Sequence, residues 1–107
     1  MRKYHHIGIP TEETRKDELY LSNLKLCIVS SYDKSEYSIE LIRFDKDSTA
    51  PELLKTKPHI AFEVDDIEYE IKGKNIILES YSPSDGITVA FIEENGLTVE
   101  LLQYSVN

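Results

Sequence analysis

Two short patterns each occur twice in the chain, in the same order. HIGIP at His6–Pro10 is echoed by HIAFE at His59–Glu63, and SIELIRF at Ser38–Phe44 is echoed by TVELLQY at Thr98–Tyr104. In each half a histidine opens the first segment, and a glutamate lies within the last. A repeat of this kind predicts two similar structural units, because each copy of the pattern favours the same local fold.

The repeat divides the 107 residues into a first module of about residues 1–45, a linker at 46–56 and a second module of about 57–107. A chain of this length suffices for one domain and is too short for two independent ones. We therefore expect a single domain over residues 1–107. Within the linker, the stretch APELLKT predicts a helical turn or two.

The second module reads as strand, helix, strand, strand, strand. PHIAFEV predicts a strand, and Asp65 or Asp66 is suited to cap a short helix through IEYEIKG. NIILESY predicts the next strand. The dipeptide Asn-Gly between ITVAFIEE and LTVELLQY predicts a two-residue hairpin. That turn sets Glu100 opposite Phe91, so the two side chains are expected on one face of the sheet.

The first module follows the same order less clearly. YHHIGIP predicts the opening strand, and the polar stretch TEETRKDELY leaves room for only a turn or two of helix. A weakly marked strand is expected near ELYLS, and LSNLKLCIVSS and YSIELIRF are expected to pair across YDKSE. Alternation places His6 beside Gly8 and His59 beside Ala61, so each repeated histidine has a small neighbour on its own face.

Charge and composition limit the partners of the chain. The formal net charge is −8, which argues against nucleic acid, because binding to phosphates depends on Lys and Arg. No apolar run approaches the length of a membrane span, and no secretory leader precedes the first strand, so we expect no membrane association. The single cysteine, Cys27, cannot form an internal disulfide, which predicts a cytoplasmic location.

The paired units, each opening on HI and closing on an xELxx pattern, resemble the vicinal oxygen chelate superfamily. This group includes glyoxalases, bleomycin-resistance proteins and extradiol dioxygenases. STAPELLKTKPHIAFEVDDIE is similar to the middle of methylmalonyl-CoA epimerases and YHHIGIPT to their start, and glyoxalase I-like members are the other near group. The resemblance implies an α+β fold in which two βαβββ modules form a curved mixed sheet, here with shortened helices. It also implies a homodimer.

In the metal-dependent members of this superfamily, each module supplies one histidine from its first strand and one acid or amide from its last. Carried over by position, the resemblance implies the metal ligands His6, Glu40, His59 and Glu100. A mixed set of imidazole nitrogens and carboxylate oxygens suits Zn, Ni, Co, Mn or Fe. Glu100 is our candidate for a ligand that is also the catalytic base, and Glu40 is the second candidate. His5 faces the other way and is expected to be scaffold.

The function implied by the resemblance is that of a divalent-metal-dependent lyase or isomerase of the glyoxalase or epimerase kind. A metal that chelates a carbonyl oxygen and its neighbour makes the adjacent C–H bond of a small molecule more acidic, so a carboxylate can transfer the proton. Epimerases of this group also use an acid before the third strand, and Glu18 is the nearest acid there. The alternative is a metal-free protein of the bleomycin-resistance type that sequesters a small molecule. A dioxygenase is a third candidate.

Overall fold

A computed structural model describes residues 2–105 of the chain. The strands are β1 (Lys3–Pro10), β2 (Leu19–Leu21), β3 (Leu26–Ser30), β4 (Ile39–Phe44), β5 (His59–Glu63), β6 (Asn75–Ser84), β7 (Ile87–Glu94) and β8 (Leu97–Tyr104). The helices are α1 (Glu52–Thr56) and α2 (Ile67–Glu70). Strands pair in parallel as well as antiparallel. The predicted α+β class, with mixed strand pairing and shortened helices, is therefore confirmed.

The chain forms two compact units. Among the described residues, the C-terminal unit consists of residues 2–5 and 59–105, and the N-terminal unit is His6–Pro58. The division falls within β1 and again just before β5, close to the predicted linker. A single domain over residues 1–107 stays a prediction, and both of those limits lie outside the described residues.

The C-terminal unit has the predicted order of strand, helix, strand, strand, strand. Its strands are hydrogen-bonded in the order β5-β8-β7-β6, with β5 parallel to β8 and the other two pairs antiparallel. The predicted hairpin joins β7 to β8. Asn95 and Gly96 have φ angles of 51° and 85°, as a type I′ turn requires. Phe91 pairs with Glu100, which confirms the register predicted from this turn.

Helix α2 covers one face of β7 and β8. It begins after Asp66, whose carboxylate accepts a hydrogen bond from the backbone N–H of Tyr69. The side chain of Ile67 is only 1% exposed and packs the helix against the core of this unit. That core consists of Val64, Ile67, Ala90, Ile92, Val99 and Leu101. Because side chains alternate along a strand, Phe91 and Glu100 lie on the opposite face of the same strands.

The N-terminal unit orders its strands β2-β3-β4-β1, with β1 parallel to β4 and the other pairs antiparallel. The strand expected near ELYLS is present as β2. The linker contains the expected helical turn as α1, which buries Leu54. Neither helix described here has the length and hydropathy needed to span a bilayer.

The segment between β1 and β2 differs from expectation, because residues 11–18 contain no helix. Its sequence has no apolar stripe, so a short helix there would bury nothing and would not hold together alone. Instead, Glu18 accepts hydrogen bonds from the backbone N–H of Arg15 and from the guanidinium of Arg43. The same guanidinium donates to the carbonyl oxygen of Glu13, so the segment is held as an irregular loop with a turn at residues 16–17.

Candidate metal centre

In the C-terminal unit, a histidine and a glutamate lie side by side on parallel strands. The Nε2 atom of His59 on β5 is 3.0 Å from Oε1 of Glu100 on β8. Ala61 is the residue paired directly with Glu100. Because side chains alternate, His59 and Ala61 share a face, which is the face that carries the carboxylate. Both polar residues are buried, with His59 3% and Glu100 9% exposed.

The N-terminal unit repeats this arrangement. The Nε2 atom of His6 on β1 is 3.5 Å from Oε1 of Glu40 on β4. Gly8 is the residue paired directly with Glu40. In both units, therefore, the histidine comes two residues before the small residue that lies opposite the acid. This shared offset is the structural reason why the same pair of sequence patterns occurs twice.

An aromatic ring lies against the imidazole of each pair. The ring of Phe91 meets that of His59 edge-on, with centroids 5.3 Å apart and an interplanar angle of 85°. The ring of Tyr32 stacks on that of His6 at 5.8 Å and 20°. Such contacts limit rotation of the imidazoles, so that each Nε2 atom stays directed at its carboxylate.

The third histidine has a different partner. The Nε2 atom of His5 is 2.8 Å from the hydroxyl oxygen of Tyr104, within the C-terminal unit. His5 is also more exposed than His6, its neighbour on β1. This contact gives His5 the scaffold role expected from strand alternation.

Two solved structures are similar to this one along nearly their whole length. A hypothetical protein from Bacillus halodurans C-125 is 22% identical with a TM-score of 0.70, and the match covers 99% of this chain and 96% of that one. Methylmalonyl-CoA epimerase from Mycobacterium tuberculosis is 18% identical with a TM-score of 0.62, over 97% of this chain and 89% of that one. The fold is of the glyoxalase/bleomycin-resistance type.

Likeness at this level of identity establishes the fold alone. No protein-family model and no curated protein sequence matches the chain. The expectation of a vicinal-oxygen-chelate-like fold is thus supported by the epimerase. The nearer resemblance to epimerase-like or glyoxalase I-like members stays a prediction.

The donor groups suit a divalent metal ion. In the C-terminal unit, His59 and Glu100 are buried and of residue types that bind such ions. In the N-terminal unit, buried His6 and Glu40, whose side chain is 15% exposed, offer the same two kinds of donor. Imidazole nitrogen and carboxylate oxygen are donors that Zn, Ni, Co, Mn and Fe accept. The residues therefore fit the metal that the vicinal-oxygen-chelate-like fold implies, and their roles as ligands stay predictions.

One residue near Glu100 was missed by the sequence analysis. Tyr81 on β6 lies opposite Val89 on β7. Burial, together with the negative charge of the Glu100 carboxylate, raises the pKa of the Tyr81 phenol. The position of Tyr81 depends on register shifts within β6, which the alternation of NIILESY does not reveal.

Glu18, the nearest acid before the third strand, belongs to a separate cluster. Its two carboxylate oxygens each accept a hydrogen bond of 2.8 Å from Arg43. These hydrogen bonds from Arg43, helped by the backbone N–H of Arg15, lower the pKa of Glu18 to about 2. The carboxylate is thus ionised at neutral pH and engaged by the guanidinium, which makes it an anchor for the segment before β2.

Proposed function

We propose that this chain is a divalent-metal-dependent lyase or isomerase that moves a proton next to the carbonyl group of a small molecule. The observation that carries the proposal is the matched pairing of His6 with Glu40 and of His59 with Glu100, at the same offset on parallel strands. A structural neighbour that is a methylmalonyl-CoA epimerase supports the same class of chemistry.

The proposed ligands are the four residues of the two pairs, His6, Glu40, His59 and Glu100. Two neutral imidazoles and two carboxylates carry a charge of about −2, which a divalent cation neutralises. When bound, the ion supplies Lewis-acid polarisation of a substrate carbonyl. The proposed ion is one of Zn, Ni, Co, Mn and Fe, all of which accept imidazole and carboxylate donors.

Glu100 is the proposed base. Its carboxylate takes the proton from the carbon next to the carbonyl, the C–H bonding electrons move toward the carbonyl oxygen, and the proton is later returned to carbon. Glu100 lies among apolar neighbours that keep water away, with Phe91 opposite it and Leu102 two residues further along the same strand. Glu40 is the second candidate for this proton transfer, because it is the other acid within a pair.

The metal test compares substitutions of two histidines, His59 and His5. After dialysis against Zn, Ni, Co, Mn or Fe(II) and removal of unbound ion, we expect about one tightly bound ion per chain by mass spectrometry. His59→Gln should lose most of this ion, because it removes an imidazole donor. His5→Gln should keep the ion, because the imidazole of His5 is hydrogen-bonded to the hydroxyl of Tyr104. Wild-type protein that retains no ion would refute the proposal.

The proton-transfer test follows exchange of hydrogen for deuterium. Metal-loaded protein is incubated in D₂O with α-hydroxy ketones and thioesters, and loss of the signal from the C–H group next to the carbonyl is followed by proton NMR. We expect Glu100→Gln to slow exchange by about a hundredfold or more, because the base is gone. Circular dichroism of the variant checks that it is folded. Exchange at the wild-type rate would exclude Glu100 as the base.

The second candidate is a metal-free protein that sequesters a small molecule, as bleomycin-resistance proteins do. The net charge of −8 favours it for a cationic ligand, which the protein would attract electrostatically. Bleomycin added to metal-free protein should then raise Tm, and added salt should weaken the effect. No change in Tm would count against this candidate.

We also propose a cytoplasmic homodimer. Strands β2 and β6 end the hydrogen-bonded order of their units, and β2 exposes Leu19 and Tyr20. Unpaired strand edges with exposed apolar side chains are commonly covered by another chain. Light scattering should give about twice the 12.3 kDa of one chain, and a monomer at micromolar concentration would contradict the proposal.

A further inference from the structure

Strand β6 contains register shifts that decide which of its side chains face the Glu100 side of the sheet. Leu78 pairs with Phe91 on β7. Regular antiparallel alternation from that pair would set Ser80 opposite Val89. Instead, a register shift between Leu78 and Tyr81 sets Tyr81 there. An extra residue of this kind is a β-bulge, a feature that re-aims side chains and is frequent beside functional sites.

The shift puts the phenol on the face that carries Glu100. Phe91 pairs with Glu100, and Val89 pairs with Leu102 two residues further along β8. Tyr81 opposite Val89 therefore shares the face of Glu100, two strands across the sheet and one side-chain pair further along it. The charge of Glu100 acts on the phenol strongly enough to contribute to its raised pKa, which agrees with this placement.

The phenol has the character of a hydrogen-bond donor that is available to a ligand. Two other tyrosine hydroxyls of the described residues hydrogen-bond to side chains, Tyr20 to Asp45 and Tyr104 to His5. Within residues 2–105 the Tyr81 hydroxyl has no protein hydrogen-bond partner. It is only partly buried, so a small molecule can reach it. A neutral phenol both donates and accepts one hydrogen bond with ease.

We propose that Tyr81 is a substrate-binding residue, whose hydroxyl donates a hydrogen bond to an oxygen of the molecule held beside Glu100. This inference rests on the proposed metal-dependent function and narrows its substrate class. The substrate carries an acceptor oxygen, such as that of a carbonyl, carboxylate or hydroxyl group, on the side that faces β6.

The test compares Tyr81→Phe with wild type, because this change removes the hydroxyl and keeps the ring. Protein loaded with Ni or Co is titrated with acetohydroxamate, a small probe whose two oxygen atoms are attached to neighbouring carbon and nitrogen atoms. The heat of binding gives Kd. We expect the variant to bind the probe about three- to tenfold more weakly, since it loses one neutral hydrogen bond. Its metal Kd and its Tm should equal those of wild type.

Ser80→Ala is the matched control, because it removes a hydroxyl from the exposed neighbouring residue. Its Kd for acetohydroxamate should equal that of wild type. Equal probe affinity of Tyr81→Phe and wild type would overturn the inference, as would a probe that does not bind loaded wild-type protein. A wild-type chain that binds no metal would refute the proposed function itself, and the metal titration identifies that case before the probe is added.

Discussion

A buried glutamate needs a partner, and the two acids of this chain that lie beside histidines have one. Glu100 contacts His59 at 3.0 Å and Glu40 contacts His6 at 3.5 Å. Removing one member of such a pair leaves the other polar group poorly compensated in apolar surroundings. Variants at these positions therefore need conservative replacements, so that loss of function can be separated from loss of the fold.

At the residue scale, Glu18 makes the stability of the folded protein depend on pH below neutrality. Its pKa of about 2 in the folded protein lies below its ordinary value of 4.5, so its bonds to Arg43 stabilise the fold fully above pH 4.5. That stability is lost as pH falls from 4.5 toward 2. We expect Glu18→Gln to lower Tm at pH 7 and to flatten the fall in Tm across this range.

Thermal unfolding by circular dichroism between pH 7 and pH 2 measures this effect. Glu36→Gln is the control, because Glu36 is exposed and should leave the profile of wild type unchanged. The Tm values of Glu18→Gln and wild type should approach each other as the pH falls toward 2, where about half of the Glu18 carboxyl groups in the folded protein are protonated. A difference in Tm that is constant across the whole range would contradict the assignment.

At the scale of single elements, α2 shows how a very short helix is stabilised by its cap and by its packing. A helix of four residues is not stable alone, because nucleation costs more than so few hydrogen bonds return. Two features fix it here. Asp66 caps its first turn, and Ile67 buries its side chain in the core of the C-terminal unit.

The cap can be tested against its neighbour. Asp66→Ala should lower the free energy of unfolding by about 1 kcal/mol, because the backbone N–H of Tyr69 loses its acceptor. Asp65→Ala is the matched control, since Asp65 is exposed and does not cap the helix. Urea unfolding gives both values. Equal effects of the two substitutions would show that the cap contributes nothing.

Elements whose cause is local could be predicted from the sequence. The Asn-Gly hairpin and a helix cap at Asp65 or Asp66 depend on a few adjacent residues, and both features are present, the cap at Asp66. The register shifts of β6 depend on its neighbour β7, so alternation within β6 could not place Tyr81. The loop at residues 11–18 depends on Arg43, a residue far along the chain, which the local sequence pattern does not reveal.

The same distinction applies to the candidate site. The repeat indicated which histidine and which acid belong together, because two parallel strands at one offset produce the same pattern twice. The sequence did not reveal which aromatic rings contact the two imidazoles. Phe91 reaches His59 from an adjacent hairpin, and Tyr32 reaches His6 from a short turn.

At the scale of the whole molecule, the core of the C-terminal unit should dominate stability. Leu101 is 0% exposed, so Leu101→Ala should lower the free energy of unfolding by about 3–5 kcal/mol through lost burial and the cavity left behind. That is a large share of the stability of a small protein. Leu97→Ala, on the same strand but 48% exposed, should cost much less.

Denaturant unfolding at neutral pH measures both substitutions, and Glu100 and His59 are untouched by either. Leu101→Ala protein that still folds should retain the His59–Glu100 pair, because Leu101 faces the helix side of the sheet. Similar costs for Leu97→Ala and Leu101→Ala would show that the exposed strand end contributes as much as the core.

The common offset of the two pairs gives each polar residue of one unit a counterpart in the other. His6 corresponds to His59 and Glu40 to Glu100, with Gly8 and Ala61 opposite the two acids. The same substitution can therefore be made in either unit, and a difference between the two outcomes reports on the surroundings, because Glu100 is buried whereas Glu40 is partly exposed.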